Sequence, residues 1–432
     1  MLFQPCSFVK YSMLSVSKDS LININIPIRF CRGAIYLNRS SRMAVFVLFL
    51  AFMEHKTCIA EQANIWPVSS PDAHGINSNA FERLHEEFKE GLHGYIDGFL
   101  VVKSGHIVFE EYYENNYREL TRYRKYRQSK IMRDNYGELA RPQYNYYDPE
   151  WHPYYKETRL HTIQSVSKSV TSALIGIAIE RGEIPSVDIK IIDYFERYKL
   201  LFQDPQKQAI TLYDLLTMTA GIKWDEFSHK YTNPLNNAAA MENSDDWIKY
   251  VLSRPMEFKP GEKFVYNSGI AVLLSHILHD ATNMHIDEYA DKFLFEPLGI
   301  ENFYWKKTPT GLVDAESGLY LSARDFAKFG YLYLNDGKWG KNQIISPEWI
   351  KSTMSPDTSI EGGKRRYGYQ WWLVPYTGGS NKWIYSGSGY GGQYLLVVPE
   401  YDLTIVFNGW NIFDIPRPTI EYLSQRVLES VQ

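Results

Sequence analysis

The sequence predicts an α/β protein in which one antiparallel sheet is assembled from both ends of the chain and helices fill the middle. Phe99 to Val102 and Ile107 to Tyr113 are strand-like runs joined by Lys103-Ser104-Gly105-His106, a hairpin signal. Gln393 to Val398 and Leu403 to Phe407 form a second such pair around Pro399-Glu400-Tyr401-Asp402. Between the two pairs the apolar spacing is helical. With 432 residues, 44% hydrophobic and 22% charged, the chain holds enough apolar material for one large or two ordinary domains, and it is too apolar for a disordered one. A formal net charge of −4 gives no general attraction to nucleic acid or to an anionic membrane.

Taken in order, the first 60 residues read as a leader. Arg39 and Arg42 precede Met43, and Ala44 to Met53 is an apolar run too short for a membrane span and suited to the core of a signal peptide. Cys58-Ile59-Ala60 supplies a cleavage region, so residues 43–60 are the expected signal peptide, whether the chain starts at Met1 or Met43. The protein is expected to be exported, periplasmic or secreted, with no membrane span left once the leader is removed. All three cysteines (Cys6, Cys31 and Cys58) lie in this leader, which rules out thiol catalysis, disulfides and cysteine–metal sites in the remainder. The leader is also net basic, so the remainder is more acidic than the whole chain.

Ser78 to Leu92 has helical spacing through Phe81, Leu84, Phe88 and Leu92. Thr211 with Asp214, and Ser322 with Asp325, are capping boxes ahead of apolar runs. Gly221 and Gly330 fall where a helix end or close packing calls for glycine. Residues 114–155 stand apart as a tyrosine-rich excursion: 11 tyrosines lie between Tyr112 and Tyr155, interleaved with Arg118, Arg122, Arg124, Lys125, Arg127, Lys130 and Arg133. Basic residues among aromatics can bind single-stranded nucleic acid. No RNA-binding signature accompanies them, and the favoured reading is an excursion that packs its rings, solvates its charges and roofs a site.

Ser165-Val166-Ser167-Lys168 is an S-x-x-K at the start of an apolar-periodic helix that Gly182 ends. Three residues apart on a helix, Ser165 and Lys168 share a face, so the amine reaches the hydroxyl. A helix N-terminus favours an oxyanion and disfavours a charged lysine, and a desolvated neutral lysine can act as base. Alone the motif is common, and Ser165 serves equally as a helix cap.

His161 to Gly182 (HTIQSVSKSVTSALIGIAIERG) resembles the serine β-lactamase and penicillin-recognising hydrolase superfamily, in its class C-like branch. Ile210 to Gly221 (ITLYDLLTMTAG), Pro260 to Leu274 (PGEKFVYNSGIAVLL), Phe295 to Ile300, Gly318 to Gly330 and Gly389 to Glu400 come in that family's order. The nearest likeness is to esterases and 6-aminohexanoate-dimer hydrolases. The resemblance implies a β-lactamase/transpeptidase-like fold, with a sheet domain from residues 61–182 and 312–432, an all-helical domain from 183–311, and the site in the crevice. It implies Ser165 as nucleophile, Lys168 as its base and Tyr266 as proton shuttle to the leaving group. Gly387-Ser388-Gly389 takes the place of the third motif, and the N–H of Tyr390 with that of Ser165 forms the oxyanion hole. Ser268, Ser388 and Gly389 are expected to face substrate. Two positions depart from the pattern: Ser268 stands where asparagine is usual, and Gly387 where β-lactamases have lysine.

The expected activity is therefore acyl-enzyme hydrolysis of a small ester, amide or peptide, needing no cofactor and no metal. β-Lactamase or D-amino-acid peptidase action and a non-catalytic binding role are the alternatives. Gly387-x-Gly389-x-x-Gly392 meets the dinucleotide fingerprint, but a strand comes after it where a helix is required. His276, His279 and His285 lack an H-E-x-x-H and read as surface histidines; His161 reads as structural. No G-x-S-x-G elbow occurs.

Overall fold

Alternation of side chains along the strands decides the architecture, because both faces of each central strand are apolar and both must be covered. The computed structural model describes residues 8–17, 20–31, 34–36, 66–355, 359–360, 365–375, 383–413 and 418–431. The leader-like run from Ala44 to Met53 and the cleavage region at Cys58 to Ala60 lie outside them. Phe8–Ser17, Ser20–Cys31 and Ala34–Tyr36 pair as an antiparallel meander within residues 1–65, and residues 66–432 form a second unit.

In that second unit eight strands make one sheet: β1 (Ile96–Lys103), β2 (His106–Tyr112), β3 (Ser359–Ile360), β4 (Arg365–Gly368), β5 (Trp371–Pro375), β6 (Trp383–Gly389), β7 (Gln393–Val398) and β8 (Leu403–Gly409). Their order is β3-β4-β5-β6-β7-β8-β1-β2, antiparallel throughout. The hairpins from the two chain ends meet at β8–β1, where Val406 faces Leu100 and Phe407 faces Phe99. The Phe99 and Phe407 rings stack at 4.8 Å. The β1–β2 turn takes positive φ at Ser104 and Gly105, the geometry that matches strand twist in a two-residue hairpin.

Six helices frame the sheet and the site: α1 (Ser78–Lys89), α2 (Tyr117–Tyr136), α3 (Ser167–Glu180), α4 (Gly269–Thr282), α5 (Ala323–Leu334) and α6 (Ile420–Leu428). Phe99, Val101, Leu396 and Ile405 point to the face that α1 and α6 cover with Phe81, Leu84, Phe88, Leu423 and Val427. Leu100, Val102, Leu395, Val397 and Val406 point to the other face, against α5 and the larger core. Gly330 lets α5 lie close on the sheet: a Cβ there would sit 2.6 Å from Leu395 Cδ1 and from Thr404 Cγ2. Helix α3 is buried almost all round and packs on α4. The middle of the chain is helical, and the Thr211–Asp214 capping box closes reciprocally.

One expectation needs correction. Helix α1 stops at Lys89, and Leu92 lies beyond it, exposed. The tyrosine-rich segment contains the 20-residue helix α2, capped by Asn116. Tyr117, Thr121, Gln128 and Met132 form its buried stripe, while Arg122, Tyr123, Tyr126 and Arg127 face solvent. A Gly330→Leu substitution is expected to overpack the α5–sheet contact and cost about 1–3 kcal/mol. Urea denaturation checks this, and an unchanged midpoint would contradict the close approach.

Candidate active site

Ser165 sits in the 3-10 turn Gln164–Val166 directly ahead of α3, so its backbone N–H belongs to the positive end of that helix. The turn is strained: the preceding Gln164 holds a φ of 48°, in the left-handed region, and its side chain donates to Thr162 Oγ1 at 2.9 Å. Strand β6 runs against this turn. A Cβ on Gly387 would lie 2.4 Å from Val166 Cγ1, and one on Gly389 2.6 Å from the Ile163 carbonyl. Only a bare backbone comes this close to the nucleophile turn.

Lys168, one turn along α3, is 1% exposed. Its ammonium donates to Ser165 Oγ at 3.0 Å and to the Glu316 carbonyl at 2.7 Å, and lies 3.4 Å from the Glu316 carboxylate. Tyr266 interacts electrostatically with both Ser165 and Lys168, and the Lys168 ammonium lies 5.4 Å from the centre of its ring. Tyr266 is clamped between Phe227 (5.4 Å) and Trp372 (5.6 Å), both nearly parallel to it, which fixes the ring plane. Ser165, Tyr266, Trp372, Ser388, Gly389 and Tyr390 line one cavity of about 660 Å³.

The shift on Lys168 runs opposite to the one that a neutral lysine requires. Burial pushes the Lys168 ammonium toward losing its proton, but Tyr266, Glu316 and Glu226 together override it and carry the group above the ordinary lysine value. Burial also raises the Tyr266 phenol; Lys168 pulls it back, and Glu226 raises it further. Both groups of the pair are thus shifted upward.

Glu226 is the residue that the sequence reading missed. It is buried and accepts four hydrogen bonds: Trp224 Nε1 (2.6 Å), Tyr231 hydroxyl (2.8 Å), Ser268 N (2.9 Å) and Ser268 Oγ (2.9 Å). Burial pushes its carboxyl upward while Lys168 pulls it down. This corrects the expectation for Ser268, which faces Glu226, is buried and does not line the cavity. A local signal for Glu226 is lacking, because Trp224-Asp225-Glu226 carries no motif spacing. A physical signal existed, in that a buried lysine demands anions.

Behind Lys168 lies a second charged layer. The buried Lys306 is 3.7 Å from Asp314, and Tyr144 and Tyr146 of the tyrosine-rich segment donate to Asp314 and Glu242. Burial, together with Glu316, raises the Asp314 carboxyl to about 6 and lifts that of Glu242 well above the usual range. The segment therefore supports the site from behind: no residue of 114–155 lines the cavity, whose lining includes residues 226–231 instead. His161 is buried against Asp97 at 3.0 Å, and His276 and His279 engage the carbonyls of Tyr194 and Met284.

A model of the Beta-lactamase family matches residues 84–409. An uncharacterized protein of Alkalihalophilus pseudofirmus is 27% identical over 60% of this chain and 76% of its own length. The 6-aminohexanoate-dimer hydrolase of Paenarthrobacter ureafaciens is 24% identical over 57% of this chain, and the match spans 65% of that enzyme. Among solved structures, a family VIII carboxylesterase superposes with a TM-score of 0.58 at 15% identity, covering 84% of this chain and 98% of the esterase.

The close approach of β6 makes a prediction. Gly387→Ala puts a methyl into Val166 and displaces the turn that carries Ser165. Labelling of Ser165 by a fluorophosphonate is expected to slow by about 10²-fold, the cost of an ångström-scale misplacement. An unchanged labelling rate would show that the turn does not depend on the bare strand.

Proposed function

This chain belongs to the Beta-lactamase family of serine hydrolases, and we propose that it cleaves an ester or amide through an acyl-enzyme formed on Ser165. The observation that carries this reading is the 3.0 Å hydrogen bond from the Lys168 ammonium to Ser165 Oγ, made at the floor of a cavity beside Tyr266. The Ser165 hydroxyl and the Tyr266 phenol line the same cavity and interact. Once the Lys168–Tyr266 pair has lost a proton, it accepts the one from Ser165, and Oγ attacks the carbonyl carbon. The tetrahedral oxyanion lies at the N–H groups of Ser165 and Tyr390. Tyr266 then returns the proton to the leaving oxygen or nitrogen as the C–O or C–N bond breaks, and water, deprotonated by the same pair, releases the acid.

The Gly387 contact favours esters and amides over β-lactams. A lysine at that position, which in β-lactamases holds the substrate carboxylate, has no room beside Val166. The 6-aminohexanoate-dimer hydrolase and the carboxylesterase among similar proteins support the same two bond classes.

Ser165→Ala is expected to abolish fluorophosphonate labelling, and labelling equal to wild type would end the nucleophile assignment. Lys168→Ala and Tyr266→Phe are each expected to lower turnover of p-nitrophenyl esters by about 10²–10⁴-fold. Near-normal rates would reject their roles. Since both groups are raised, the proton-accepting form of the pair is scarce at neutral pH and grows as pH rises. kcat/KM for an uncharged ester should therefore climb from about pH 7 to about pH 9; a flat or falling profile would contradict the resting charge state.

A further inference from the structure

Glu226 ties together more of the site than any other side chain, although it touches neither Ser165 nor Lys168 by hydrogen bond. Its two oxygens are saturated by four donors from three places: Trp224, Tyr231 and the segment immediately ahead of α4. Two of the four, Trp224 Nε1 and Ser268 N, are donors that cannot reverse, and both point at Oε2. The others, the hydroxyls of Tyr231 and Ser268, point at Oε1. Ser268 is two residues after Tyr266, so a carboxylate that grips Ser268 at both its N–H and its hydroxyl sets the position from which Tyr266 projects. Tyr231 in turn leans on Tyr390 at 4.9 Å, and Tyr390 on Tyr146 at 5.5 Å. One carboxylate thus ties the segment that carries the phenol to Tyr231 and, through it, to the aromatic wall of the cavity.

We propose that Glu226 is a positioning residue for the reaction: its buried carboxylate holds Tyr266 and Tyr231 in register with Ser165 and supplies part of the negative charge that Lys168 faces. This rests on the acyl-enzyme reading above and deepens it. It also explains Ser268: serine there brings a hydroxyl and a main-chain N–H to Glu226, where an asparagine side chain would extend further. The ionisable groups facing Glu226 are Lys168 from α3, Tyr266 ahead of α4, Tyr231 from its own loop, Glu316 from the turn at 314–317, and Tyr367 from β4. Glu226 raises both Lys168 and Tyr266. Removing its charge lowers both, so the proton-accepting form of the pair is reached at lower pH.

The test uses Glu226→Gln. The amide fits the same hydrogen bonds, with its oxygen toward Trp224 and Ser268 N and its NH₂ toward the two hydroxyls, which rotate to accept. Shape is kept and charge is lost. The rate of Ser165 labelling by a fluorophosphonate is measured against pH in the full chain, with circular dichroism to establish the fold. The ascending limb of the profile is expected to move toward lower pH in Glu226→Gln and to stay in place in Tyr231→Phe, which loses a hydrogen bond and keeps the anion. A limb that does not move in Glu226→Gln, whatever happens to the rate, overturns the proposal, as does an equal displacement in Tyr231→Phe. Labelling of Ser165→Ala as fast as wild type would overturn the nucleophile assignment itself, and this inference with it.

Discussion

A lysine ammonium with 1% of its surface exposed is the constraint around which the rest of this site is arranged. Moving such a cation out of water costs several kcal/mol, and its interior partners must return that. Here they are the Glu316 carboxylate and carbonyl, the Ser165 hydroxyl, the Tyr266 oxygen and the field of Glu226. The same partners that make the buried lysine tolerable also aim it, because a cation held from several directions has one place to be. The nucleophile is thereby supplied with a hydrogen-bond donor held by several contacts at once.

Charge balance spreads outward from that point. Glu316 belongs to a short turn with Asp314, and Asp314 meets Lys306 and the Tyr144 hydroxyl, while Glu242 takes the Tyr146 hydroxyl. Four buried carboxyls thus share two buried lysines. That is why burial and mutual repulsion hold Glu242 and Asp314 toward their neutral forms. The tyrosines of the segment before the nucleophile close this layer with hydrogen bonds and bulk, and α2 carries the segment's basic residues out to solvent. A segment that reads in sequence as a roof over the site is in effect a backing plate.

Much of this was legible in sequence. The hairpins at both ends, their meeting in one sheet, the Thr211–Asp214 cap and the helix behind Ser165 all depend on local periodicity and turn chemistry. The glycines of the third motif were visible as motif, and the structure adds their physical reason in Val166 and Ile163. What stayed hidden is tertiary. Glu226 and Glu316 are 58 and 148 residues from the lysine they balance, and nothing in their neighbours' spacing marks them. Without them the lysine reads as neutral, since burial and the helix N-terminus are the only influences in view. Ser268 was misassigned for the same reason: its partner lies on another loop.

The claim on which all else rests is that Lys168 is an ammonium in the resting protein. Selective ¹⁵N labelling of lysine side chains tests it directly, with the Lys168 Nζ resonance identified by its loss in Lys168→Arg. An ammonium shift is expected at neutral pH, beginning to move only well on the alkaline side. An Nζ signal already at the amine position at neutral pH would contradict it.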